Sequence, residues 1–291
     1  MSRLDEIITT NEHIGGKRIA LNCHYNSNLL NIIHQKNITS ILLSEANGWH
    51  GSNIDFLSKI PNLRGIQIYS KNVSNLKILK ELKDLELIGI NTNSKYHPNF
   101  KEFPKLKKLL VSWKKGTESF IGHRTIKYIN VDKFPYENLA VLKDNMSLER
   151  LSISSSKLES LSGISLLSNL LKMDLFYCPK LSDISDLINC KEFLELGFLS
   201  CKKIEKIPPM KKAPRLRRVV IENCGSIESL EPLKYCESLE ELFAIGNTKI
   251  EDGDFESILK IPSLRVFHVA NKRHYSHSRS EIRAFLESKI E

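Results

Sequence analysis

Leu148-x-x-Leu151-x-Ile153-x-x-Ser156-x-Leu158-x-x-Leu161-x-x-Ile164-x-x-Leu167 is followed at once by a second copy, with Leu170, Met173, Leu175, Cys178, Leu181, Ile184 and Leu187 in the same places. The pattern returns at Phe193 (Leu196, Phe198, Cys201, Ile204, Ile207, Met210) and at Leu216 (Val219, Ile221, Cys224, Ile227, Leu230, Leu233). A fifth copy, Leu239, Leu242, Ala244, Asn247 and Ile250, stretches before Leu264, Phe267 and Val269. Successive starts lie 22, 23, 23, 23 and 25 residues apart. Within each copy the first apolar residues alternate with period two, as a strand with one buried face requires. Those that follow recur with period three, as short 3-10 or helical turns require. One such unit cannot bury its apolar face alone, so neighbouring units must stack and pair their strands in parallel.

Working outward, weaker copies start at Ile38, Leu63, Leu82, Leu106 and Ile126, with a first strand around Ile19 and Leu21, giving about twelve turns. Replacing a central inward residue such as Leu196 by Ala is expected to cost about 2–5 kcal/mol. The pattern L-x-x-L-x-L/I-x-x-N/C-x-I/L at this period resembles the leucine-rich-repeat family in its short bacterial style, over roughly residues 16–272. The resemblance implies an α/β solenoid, a curved horseshoe with a parallel sheet on its concave face and short 3-10 or helical turns on its convex face.

The whole chain, 1–291, then reads as a single domain. Residues 1–15, with Leu4, Ile7 and Ile8 at helical spacing, are expected to cap one end. Residues 273–291 are expected to cap the other with a helix. Ser278 and Glu281 form a capping box there, and Ile282, Phe285, Leu286 and Ile290 recur behind it.

Composition fits a globular chain: 41% of the 291 residues are hydrophobic and 26% charged. Asp5 and Glu6 stand where an export signal needs apolar residues, and no stretch approaches the ~18 apolar residues of a membrane span. A cytoplasmic protein with no membrane role is expected. In a reducing compartment the six cysteines need another explanation than disulfides, and their spacing supplies one. Cys178, Cys201 and Cys224 share one repeat position, taken by Asn247 in the next unit, while Cys190 and Cys236 share a second. Small side chains that turn the chain off each strand account for them; Cys23 reads as a free thiol in the first turn.

No metal site or cofactor is expected, since His274 and His277 form the one tight histidine pair and no third ligand accompanies them. No phosphate-binding, metalloprotease, nucleophile-elbow or dinucleotide motif occurs, so a non-enzymatic role is expected.

The strand residues that point away from the core carry the functional information. One outward column reads Ala20, Leu42, Gln67, Glu86, Leu110, Asn130, Ser152, Asp174, Gly197, Val220, Phe243 and His268. The next reads Asn22, Ser44, Tyr69, Ile88, Ser112, Asp132, Ser154, Phe176, Leu199, Glu222, Ile245 and Ala270. Adjacent late units therefore turn Phe176, Leu199, Val220, Phe243 and Ile245 to solvent, with Tyr177 beside them. Asp174, Glu195, Glu222 and Glu241 lie around that cluster, opposed by Lys172 and Arg218 alone. Apolar anchors ringed by charge suit a protein partner, so Asp174, Phe176, Tyr177, Glu195, Leu199, Arg218, Val220, Glu222, Glu241, Phe243, Ile245 and His268 form the candidate partner-binding set.

The net charge of +9 lies mostly elsewhere, in residues such as Lys202, Lys203, Lys206, Lys211 and Lys212 that flank the strands. That arrangement speaks against a nucleic-acid partner, which would need basic residues interleaved with stacking aromatics on one surface. In the irregular stretches 91–99 and 112–125, Trp113 is expected to plug a poorly packed unit. The expected function is protein binding on the concave face of the last units. The resemblance implies a bacterial immunity or inhibitor role, with a host-directed effector delivered without a cleavable signal as the alternative.

Overall fold

A computed structural model describes residues 8–10, 16–22 and 27–289, and the chain gathers into two compact units, 1–131 and 132–291. In the first unit, β1 (Ile8–Thr10) runs antiparallel to β2 (Lys17–Leu21), where the spacing of Leu4, Ile7 and Ile8 predicts a helix. Ile8, Thr9 and Thr10 are all β-branched, and the edge of β2 offers them hydrogen bonds that a lone short helix would lack. Leu4, Ile7 and Cys23 lie outside the described residues. Helix α1 (Ser27–Gln35) then packs Leu29 and Ile33 into the core, and β3 (Ile38–Ser44), β4 (Gly65–Ser70), β5 (Leu87–Thr92) and β6 (Lys108–Ser112) follow in parallel, in chain order.

Two columns of inward residues fill the unit, Ile19, Ile41, Ile66, Ile88, Leu109 and Leu21, Leu43, Ile68, Ile90, Val111, all buried. Ile88 therefore faces the core, and Gly89 and Asn91 occupy the outward places in which the sequence reading puts Glu86 and Ile88. The run Leu82-Lys83-Asp84-Leu85-Glu86-Leu87-Ile88 fits the repeat in two frames. The frame Leu85-x-x-Ile88-x-Ile90 prevails because it buries all three side chains completely.

Strand β7 (Tyr128–Asp132) crosses the boundary in sequence. The second unit contains β8 (Arg150–Ser154), β9 (Lys172–Phe176), β10 (Glu195–Leu199), β11 (Arg218–Glu222), β12 (Ser226–Ile227), β13 (Glu241–Ile245), β14 (Lys249–Ile250) and β15 (Val266–Val269). Strands β8, β9, β10, β11, β13 and β15 pair in parallel without a shift of register, and β12 pairs with β14 in a small second ladder. Short 3-10 turns such as Ile164–Leu166, Ser185–Asn189 and Glu231–Tyr235 return the chain, as the period-three spacing predicts. Helices α2 (Glu256–Leu259) and α3 (Arg279–Ser288) close the sequence, and the reciprocal Ser278–Glu281 capping box opens α3. Ile282 and Leu286 of α3 are buried.

The cysteine ladder runs behind the strands. Ser156 Oγ donates to Cys178 Sγ at 3.2 Å, Cys201 Sγ reaches the Leu175 carbonyl at 3.6 Å, and Cys224 Sγ donates to the Phe198 carbonyl at 3.1 Å. In the next unit Thr248 takes the place, its hydroxyl donating to the Ile221 carbonyl at 3.1 Å, while Asn247 is exposed. That unit spends one extra residue, Asn247, after the left-handed Gly246 (φ 66°) that matches Asn223, which moves the ladder position from 247 to 248. The Cys201, Cys224 and Thr248 rungs each reach a strand carbonyl of the preceding repeat, so the buried thiols and hydroxyl have acceptors. Hydrogen bonding with Cys178 and Cys224, together with burial, pushes the Cys201 thiol up.

Candidate protein-binding face

The face of the second unit's sheet opposite the 3-10 turns is open. Strand alternation and an unbroken register bring three outward columns onto it. The first carries Arg150, Lys172, Glu195, Arg218 and Glu241; the second Ser152, Asp174, Gly197, Val220, Phe243 and His268; the third Ser154, Phe176, Leu199, Glu222 and Ile245. All twelve residues singled out in the sequence thus stand on this one face or at its edge. Phe176 is 37% and Tyr177 62% exposed, His268 is exposed, and Leu199, Val220, Phe243 and Ile245 are half-buried.

The charges are more closely matched than the sequence reading has them. Arg150, at the start of β8, donates to Asp174 at 3.2 Å, Lys172 reaches Glu195 at 2.5 Å, and Arg218 pairs with Glu241. Arg150 escapes a search for charges inside the apolar cluster, yet it occupies the same column as Lys172 and Arg218, and reading that column from β8 finds it. These half-exposed pairs add about 0–1 kcal/mol each to stability, so their main effect is to fix side-chain positions. The Arg218 guanidinium also lies over Phe243, 4.8 Å from the ring centroid, and His268 stacks on the same ring at 5.5 Å. Phe243 is thereby held between a cation and an imidazole, with its edge left to solvent.

Gly197 leaves a notch in the middle column, where a Cβ would stand 2.7 Å from Asp174 Oδ1. Just past the strands, Ser155, Tyr177, Ser200 and Asn223 all adopt left-handed backbone, with φ between 49° and 57°. Their amides continue the ladder to the next unit, as in Tyr177 N–H to the Leu199 carbonyl at 2.8 Å.

Other marked residues have structural engagements. His274 Nε2 contacts the Ile250 carbonyl at 2.9 Å, and the Tyr275 hydroxyl accepts from the Ile250 amide at 3.0 Å. Trp113 packs edge-on against Phe120, ring centroids 6.0 Å apart, and is half-buried. No helix among the described residues is long and apolar enough to cross a membrane.

Stacked units with one short parallel strand each, 3-10 returns and a ladder of buried polar side chains define a leucine-rich-repeat fold, and comparison with solved structures agrees. A leucine-rich-repeat protein of Leptospira interrogans superimposes with a TM-score of 0.52 at 15% identity, over 86% of this chain and 64% of that one. Toll, in the Toll–Spätzle complex of Drosophila, gives 0.58 at 13%, over 87% and 40%. TLR13, in its complex with ssRNA13, gives 0.57 at 19%, over 88% and 43%. The chain thus spans less than two thirds of the length of each of these three. No protein-family model and no curated protein sequence matches it.

Proposed function

We propose that this chain is a non-enzymatic protein-binding module that takes its partner on the open face of the second unit. The observation that carries the reading is the apolar cluster of Phe176, Tyr177, Leu199, Val220, Phe243 and Ile245, which meets solvent on one face of a sheet whose inward strand residues, such as Met173, Leu175, Leu196, Val219 and Leu242, are buried. Matched opposite charges around it suit a protein rim. Four carboxylates among three cations would repel a phosphate backbone, which favours a protein over a nucleic acid. The arrangement is held by the sheet and not by mobile loops, so little ordering entropy is lost on binding.

Within this reading the finer role is that of an inhibitor or immunity-type protein of the bacterial cytoplasm that sequesters its partner. The test compares proteins retained from the native cell by the wild-type chain and by Phe243→Arg at matched melting temperatures. A stoichiometric partner lost only with the variant supports binding at this face, and inhibition of that partner's activity by the wild type supports sequestration. Equal folding with equal binding would overturn the proposal.

A further inference from the structure

Glu222 differs from the other carboxylates around the apolar cluster. Asp174, Glu195 and Glu241 each face a cation of the same sheet, whereas Glu222 has no cationic partner among the described residues. Its side-chain contact is the neutral Asn223 amide, at 3.5 Å, the outer limit of a hydrogen bond. Register sets it between Leu199 and Ile245 in the third column, on a strand whose middle outward residue is Val220. A half-buried carboxylate between aliphatic side chains has lost part of its water without gaining a counter-charge.

The second observation is independent and lies two strands away. Tyr177 holds a left-handed backbone (φ 51°) at the place where other repeats use Lys133, Ser155, Ser200, Asn223 and Gly246, and it is the one aromatic among them. A bulky ring there costs backbone strain, yet it is 62% exposed and contributes little to the core. Two spacings of about 4.8 Å separate its strand from that of Glu222, a distance that about three residues of extended chain cover.

From these features, and resting on the protein-binding reading above, we infer that the partner presents a lysine or arginine to Glu222 and an apolar or aromatic residue, about three positions away, to Tyr177 and Phe176. The methylenes of the basic side chain lie along Leu199 and Ile245 while its charged head meets the carboxylate. A phosphate-bearing partner would meet the uncompensated charge with the wrong sign, and a small cation would leave the apolar surface wet.

The probe is a displayed library of random twelve-residue peptides, panned against the immobilised full chain. The enriched peptides are then titrated against wild type, Glu222→Gln, Glu222→Lys and Phe243→Arg. Enriched sequences are expected to carry Lys or Arg with an apolar residue about three positions away. Glu222→Gln should weaken them at least tenfold at an unchanged melting temperature, and Glu222→Lys, panned afresh, should select acidic peptides. Peptides lost with Phe243→Arg but indifferent to Glu222→Gln would overturn the basic anchor and leave the binding face standing. A library that yields no peptide sensitive to Phe243→Arg would overturn both. Should Glu222→Lys fail to fold, the isosteric Gln variant still decides.

Discussion

Tyr177 donates its amide to the Leu199 carbonyl at 2.8 Å while its own backbone sits in the left-handed region, so the ladder between β9 and β10 continues one residue past the strands through a conformation that tyrosine disfavours. Relieving the strain with Tyr177→Gly gains about 1–2 kcal/mol and loses about 0.5–1 kcal/mol in unfolded-chain entropy. Chemical denaturation should therefore show Tyr177→Gly equal to or slightly more stable than wild type, while partner affinity falls at least tenfold, as for an aromatic hot spot. A loss of several kcal/mol would make the ring a structural element and remove it from the binding surface.

In the first unit, Glu86 is buried between Arg64 Nε at 2.6 Å and Lys107 Nζ at 2.7 Å. Burial works to raise its carboxyl, and the hydrogen bonds from Arg64 and Lys107 outweigh it, holding the group below its ordinary value. A depressed carboxylate contributes stability above the unfolded pKa of about 4.3 and loses it as pH falls through the folded value. Glu86→Gln should accordingly cost about 1–3 kcal/mol at pH 7, and the gap to wild type should close in acid. Denaturation midpoints that stay equally separated from pH 7 to pH 3 would show that charge is not the cause.

Cys190 and Cys236 titrate in the opposite sense. Burial pushes both thiols up to about 12, well above the ~8.5 of an unfolded cysteine. The folded chain keeps their protons where the unfolded chain has lost them. The associated stability is complete below about pH 8.5 and drains away above it, at about 1.4 kcal/mol per pH unit for each thiol. Wild type should lose stability between pH 8.5 and pH 10.5 more steeply than the Cys190→Ala, Cys236→Ala double variant; parallel curves would refute the assignment.

The five copies from Leu148 onward disclosed their strands, their inward columns and the outward pair in each strand, because buried Leu, Ile, Met and Phe recur there with no competing frame. Among the described residues twelve strands, β2–β11, β13 and β15, stand at the repeat's strand position, in keeping with the about twelve turns read from the period. Legibility failed where composition allowed two answers. Leucines at 82, 85 and 87 fit two registers, and only the burial of Ile88 and Ile90 chooses between them. The extra residue, Asn247, moved to Thr248 a ladder position that spacing alone assigns to 247. The pairing of β1 with β2 depends on an edge some seven residues away, which helical periodicity does not register. On the candidate face the apolar set was readable from the strands. Its charge balance was not, since Arg150 meets Asp174 across adjacent strands and two different columns.

The left-handed positions along the rim of the second unit also divide the surface by how freely it can diversify. Residues 155, 177, 200 and 223 hold positive φ, so most substitutions there other than Gly, Asn or Asp carry a backbone cost. The column just inside it, 154, 176, 199, 222 and 245, has ordinary strand backbone and admits any side chain that need not enter the core. A lineage that must follow a changing partner can therefore rewrite its recognition in the inner column while the rim keeps the backbone in step.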